Sequence, residues 1–303
     1  MLDKLNVPYK LVDIGANLLE PSFDRDFDDV LSRAKKAGLV KLMITSGTET
    51  DGQKLQKVVS KYPGLLYCTA GVHPHEANSF NDSTIETFRE LFKNPQCVAV
   101  GECGLDFRAA LSDNRSKNLD HLPSKEVQLN AFEKQVALAC ELQKPLFIHE
   151  RSAHAEMVEV FGKYKETLSP AVIHCFTGTA KEAQKYIEIG LYIGITGYLA
   201  RDDSPDGLKY ALQSGIIPLD RLLLETDAPF MWPRINTKKL PAEIKRKFSK
   251  EATMLNTYCS TVRNEPCSLA ITCELLAAYL RKEPQEISEA TTANAKLIFG
   301  LEL

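Results

Sequence analysis

The sequence predicts a single (β/α)8 TIM barrel spanning residues 1–303, with long loops after strands four and eight. Two observations carry that expectation. Eight short apolar runs recur along the chain, nearly all ending in a polar residue or glycine, and helical patterns with start and stop signals lie between them. An open doubly wound sheet is the alternative, but no glycine-rich phosphate loop follows the first run.

The runs, in order, are "KLVDIGAN" (10–17), "VKLMITSG" (40–47), "LYCTAGVH" (66–73) and "CVAVGECG" (97–104). "PLFIHE" (145–150), "AVIHCF" (171–176), "LYIGITG" (191–197) and "LLLETDAP" (222–229) complete the set. Near-continuous apolar character suits strands covered on both faces, as in a parallel sheet. Between them, "FDDVLSRAKKAG" sets acids in its first turn and lysines before Gly38, matching the helix dipole. "STIETFRELFKN" opens with an expected capping box from Ser83 to Glu86, and "TAKEAQKYIEIG" with another from Thr179 to Glu182, closing at Gly190. Two stretches exceed a normal connection: 108–124 after strand four, and 230–266 between strand eight and a last amphipathic helix, "SLAITCELLAAYLRK". Long loops in compact domains are often functional, and both leave the strand C-termini, the active-site face of such barrels.

Composition sets the class. With 44% hydrophobic and 25% charged residues, the chain reads as a globular protein, and no run is long and apolar enough to span a bilayer. A formal net charge of −3 excludes a global electrostatic pull toward nucleic acid or membrane, so any polyanion site must be a local patch. The N-terminal stretch lacks the apolar run of a signal peptide, and the eight cysteines contain no CxxC pair. The expectation is reduced thiols in the cytoplasm or nucleus, with no membrane partner and a monomeric barrel.

The strand ends carry chemistry. Asp13, Asn17, His73, His75, Glu102, His149, His174 and Asp227 all fall at the ends of predicted strands, which a barrel gathers on one face. Each has a bland reading: a lone histidine at a strand end is more often structural, and the aspartate of "ETDAPF" suits a loop brace. Four strands ending in Glu, His, His and Asp argue jointly for a divalent metal. A carboxylate as isolated as Glu102 in "VAVGECGLDF" needs a partner to be buried at all.

The motifs "VDIGANL", "AGVHPH", "VAVGECGLDF", "PLFIHERSAH", "VIHCFTG", "YIGITGYL", "ETDAPF" and "RNEP" resemble the TatD-related deoxyribonucleases, metal-dependent hydrolases of the amidohydrolase superfamily. The resemblance covers almost the whole chain, with "GECGLD" and "ETDAP" its most specific parts. It implies a phosphodiesterase trimming single-stranded DNA from the 3′ end, with RNA a second candidate substrate, using one or two divalent ions: Mg²⁺ first, Mn²⁺ or Zn²⁺ as alternatives. It also suggests a setting in DNA repair or in DNA breakdown during cell death. By position, Glu102, His149, His174 and Asp227 match the metal ligands, and His73 would lie beside the substrate phosphate. Glu102, Asp227 and His73 are the catalytic candidates. Asp227 would both ligate and accept the attacking water's proton. His75, Arg151, Trp232 and Arg263 are expected to bind substrate, Arg263 either holding a phosphate or bracing its loop through Glu265.

Two positions depart from the family pattern. Many relatives carry His-x-His on strand one, where this chain has Gly15 and Asn17 after Asp13; Asp13 and Asn17 are therefore candidates for a ligand or a supporting role. Ser152 stands where Asp or Asn is common. Beyond strand eight, "WPRINTKKLPAEIKRKFSK" gathers Arg234, Lys238, Lys239, Lys245, Arg246, Lys247 and Lys250 with only Glu243 among them. A phosphate-gripping surface and a solvated loop with a short amphipathic helix, anchored by Trp232, both fit this stretch. Competing functions are another amidohydrolase-type reaction, opposed by the missing strand-one histidines and by Glu102 in place of a strand-four lysine, and a binding barrel with a weakened metal site.

Overall fold

All eight expected strands are present in the computed structural model, which describes residues 5–108 and 122–301. They are β1 Leu11–Ala16, β2 Leu39–Ile44, β3 Leu66–Ala70, β4 Cys97–Asp106, β5 Leu146–Arg151, β6 Ala171–Ile173, β7 Tyr192–Ile195 and β8 Leu222–Leu224. Described helices, numbered in chain order, are α1 Phe27–Lys36, α2 Glu49–Val59, α3 Asp82–Leu91, α4 Lys125–Leu142, α5 His154–Lys163 and α6 Ala180–Ile189. They continue with α7 Leu208–Gln213, α8 Ala242–Lys245, α9 Lys250–Thr261, α10 Leu269–Leu280 and α11 Pro284–Phe299. The strands form one sheet in sequence order. β8 returns to β1 through two backbone bonds: Asn17 N donates to Ala228 O at 2.7 Å and Asp227 N to Gly15 O at 2.8 Å. This is the strand order of a (β/α)8 barrel. The strands are as apolar as they are because β1, β3, β4 and β5 are buried along their whole length.

By packing, the chain divides into two compact units. Thr45–His174 holds β3 to β6 and α2 to α5, with Leu55, Phe88, Phe132, Phe147 and Phe161 in its core. Phe132 meets Phe161 edge to face, ring centres 6.1 Å apart. The second unit, Met1–Ile44 with Cys175–Leu303, holds β1, β2, β7 and β8 and the remaining helices.

Local signals hold at α6, where Thr179 and Glu182 form the expected box and Gly190 closes the helix at φ 95°. They fail in two places. α3 is capped by Asn81, not Ser83: Asn81 is extended, its side chain accepts from Ser83 N at 2.9 Å, and its own N donates to Thr84 Oγ1. Asn is as good a cap as Ser, and the earlier one wins. "SLAITCELLAAYLRK" is neither amphipathic nor last: α10 is buried almost all round, and α11 follows and packs on β1 and β8. The 230–266 connection contains α8 and α9. Most of the long loop expected after strand four falls at 109–121, outside the described residues.

Candidate metal centre

In the Thr45–His174 unit, three imidazoles close on one carboxylate oxygen. Glu102 Oε1 lies 2.8 Å from His174 Nε2, 2.9 Å from His149 Nδ1 and 3.5 Å from His73 Nε2. Glu102 is on β4, His149 on β5, His174 directly after β6 and His73 three residues after β3. Neighbouring strands therefore deliver one group each, Glu102 and His149 from within β4 and β5, His73 and His174 from just beyond β3 and β6. The registry needs a glycine: Gly104 pairs with His149, and a Cβ there would stand 1.9 Å from His149 O, at φ +145°.

The electrostatics favour a ligand set. Burial opposes the charge on Glu102, but His174, His73 and His149 outweigh it and hold the carboxyl well below its ordinary range. Burial, reinforced by neighbouring His149, pushes His73 down to about 3. Burial likewise lowers His149, with Arg151 adding to it against the bonds to Asp106 and Glu102. A carboxylate beside His73 and His149 held neutral is the protonation state that binds divalent metals. His73 Nε2 and His149 Nδ1 also face each other at 3.2 Å, a distance at which one nitrogen must offer a lone pair. His73, Glu102 and His149 each present a donor atom within 4.8 Å of the others. The residues fit a cation.

Asp106 is the residue sequence reasoning passed over. Its Oδ2 lies 3.2 Å from His149 Nε2 and 3.0 Å from His75 Nε2, and Arg108 donates to both oxygens. Despite burial, these bonds from His149, His75 and Arg108 hold its carboxyl far below the ordinary range. Strand periodicity carried the signal: Asp106 is four residues beyond Glu102 and so shares its face. His75 reaches the site through Asp106, while its backbone N donates to His73 Nδ1. Two buried glutamines of α4 fix the backbone on either side. Gln135 brackets Val72, just before His73, and Gln128 brackets Asp106, each accepting from the N–H at 2.8 Å and donating to the carbonyl at 3.2 Å. Arg151 is buried at the end of β5, its Nη1 donating to Glu150 O at 2.7 Å.

The other predicted residues belong to the second unit. Asp227 follows β8 in a left-handed conformation, φ 49°, and its Oδ1 accepts from Asn17 Nδ2 at 2.8 Å. Asn17 thus holds a carboxylate where a histidine would hold a metal. Asp13 is fully buried and accepts from Thr226 N at 3.0 Å and Thr226 Oγ1 at 2.6 Å. Burial pushes its carboxyl up to about 8 against those bonds. Glu225, also unforeseen, accepts from Cys175 N. Arg263 lies over the Phe23 ring, 2.6 Å from Asp26 Oδ1 and 3.2 Å from Glu265 Oε1. Trp232 is half-buried, with the Arg234 guanidinium 5.6 Å from its ring centre.

Comparison with known proteins identifies the family. The family described as TatD related DNase matches residues 12–300. A protein of Erwinia billingiae (strain Eb661) named 3'-5' ssDNA/RNA exonuclease TatD is 37% identical over 291 residues, 96% of this chain and 99% of its own. Its namesake in Citrobacter rodentium (strain ICC168) is 37% identical over 293 residues, 97% of this chain and 99% of its own. The crystal structure of a hydrolase TatD family protein from Entamoeba histolytica shares the fold, with TM-score 0.78 and 24% identity over 97% of this chain and 99% of that one. With a match from the first strand to the last helix, the chain belongs to the TatD related DNase family.

Proposed function

We propose that this chain is a metal-dependent nuclease that shortens single-stranded nucleic acid, DNA foremost, from its 3′ end. The convergence of His149, His174 and His73 on Glu102 Oε1 carries the reading, and the relatives named as 3'-5' ssDNA/RNA exonucleases support its direction.

Glu102, His149 and His174 hold the cation, and His73 stands beside it. A divalent ion bound there polarises the phosphoryl group and acidifies water. Mn²⁺ and Zn²⁺ suit an imidazole-rich set at least as well as Mg²⁺, so all three enter the test. Asp106 orients the His149 ring through the nitrogen that faces away from Glu102. Asp227 accepts the proton of the attacking water, with its carboxylate turned by Asn17. His75 and Arg108, both tied to Asp106, meet the phosphate oxygens. Free cysteines throughout fit a reducing compartment, cytosol or nucleus.

The test is digestion of a 5′-labelled single-stranded oligonucleotide by wild type and Glu102→Gln, with each ion and with EDTA. A ladder receding from the 3′ end, abolished by EDTA and by the substitution, is expected. Mid-chain cuts would keep the chemistry and overturn the exonuclease mode. No cleavage with any ion would overturn the function.

A further inference from the structure

The segment after β8 concentrates charge that the proposed centre does not use. Residues 234–250 hold seven Lys and Arg against one acid, Glu243, in a chain of net charge −3. The rest of the chain is therefore markedly acidic. The segment is not a loose loop. Pro233, Ile235, Leu240 and Ile244 are buried at intervals along it, while Arg234, Lys238, Lys239, Lys245, Arg246, Lys247 and Lys250 are exposed. Apolar anchors thus fix a backbone whose cations all face water.

Ordinary structural roles account for few of these cations. Lys239 pairs with Asp203, and Arg234 lies over Trp232. Lys245, Arg246 and Lys247 have no acidic partner among the described residues. Lys250 opens α9, the end of a helix where the macrodipole disfavours a cation. Mutually repelling charges without partners are retained at a cost that a polyanion would relieve. Just upstream, Phe230 is 51% exposed, unusual for a phenylalanine, and offers a face on which an unpaired base can stack.

We propose that this basic ridge docks the phosphate backbone of a single-stranded nucleic acid, holding the part of the strand that is not being cleaved. A phosphate backbone matches a cluster of exposed cations on an anchored segment, and an exposed ring just upstream in the chain favours a single strand over a duplex. The inference rests on the nuclease reading for its substrate, but its test does not need turnover.

The test uses fluorescence anisotropy of labelled oligodeoxythymidine in EDTA, with wild type and a variant carrying Lys245→Gln, Arg246→Gln and Lys247→Gln. All three side chains are exposed, so the fold is expected to keep its melting temperature. Losing three phosphate contacts makes the slope of log affinity on log salt shallower by about 2. Between about 50 and 200 mM salt, wild type then loses about sixteen-fold more affinity than the variant. Equal slopes, or no binding by wild type, would overturn the ridge. An equal effect on duplex of the same length would overturn its assignment to single strands. In a parallel assay with metal, a dinucleotide too short to use the ridge is expected to be cleaved equally by both proteins, and cleavage lowered equally on short and long substrates would also count against the ridge. If neither protein cleaves any substrate, the nuclease reading fails while the anisotropy still decides the ridge.

Discussion

His149 stands between two carboxylates: its Nδ1 lies 2.9 Å from Glu102 Oε1, and its Nε2 lies 3.2 Å from Asp106 Oδ2. One nitrogen thus faces the proposed cation site, and the other is held by a charge behind it. That pairing fixes the tautomer and raises the basicity of the ligating nitrogen.

Asp106→Asn removes the charge and keeps the shape. The expected result is a loss of roughly 10- to 100-fold in Mn²⁺ affinity by calorimetric titration, with an unchanged circular dichroism spectrum. Wild-type affinity in the variant would remove Asp106 from any supporting role.

Asn17 and Asp227 are 210 residues apart and joined at 2.8 Å. Asp227→Asn is expected to lower kcat by about 10²- to 10⁴-fold, as for loss of a proton acceptor. Asn17→Ala, acting only by misorienting that carboxylate, should lower kcat by roughly tenfold and leave the double variant no worse than Asp227→Asn. Additive losses in this cycle would show that Asn17 acts on its own account.

Acid should weaken the metal-free fold through His73. Its folded-state pKa of about 3 lies below the ordinary 6.5, so the unfolded chain binds the proton first as pH falls. The contribution is complete above pH 6.5 and is lost progressively toward pH 3. Between pH 6.5 and 4.5 it amounts to about 2 kcal/mol. Urea midpoints of the EDTA-treated protein should therefore fall with pH across that window, and less steeply for His73→Asn. His149 is shifted in the same direction, so a residual slope is expected in the variant. Parallel curves for the two proteins would contradict the burial of a neutral His73.

Gly104→Ala tests the β4–β5 registry. The added methyl would meet His149 O at 1.9 Å in a conformation that L side chains rarely adopt. A destabilisation of about 3 kcal/mol or more is expected by urea unfolding, together with a loss of metal binding as β5 moves aside. A variant as stable as wild type would show that the strands can separate here freely.

What the sequence determined by itself was everything written in local periodicity. Eight apolar runs marked eight strands because both faces of a parallel sheet are covered, and Thr179 with Glu182 marked a helix start because a cap bonds within its own turn. Glu102, His149 and His174 were legible as strand-end residues, chemically out of place in apolar runs, and the family resemblance added their roles. Tertiary structure alone decided the partnerships. Nothing near Asn17 foretold Asp227, nothing near Arg263 foretold Asp26, and nothing near Val72 foretold Gln135. The same is true of α10, whose polar positions suggested an exposed face until packing buried nearly all of them. Hydrogen bonds and burial between distant segments depend on where the fold sets them down, and a lone sequence records only which groups each segment brings.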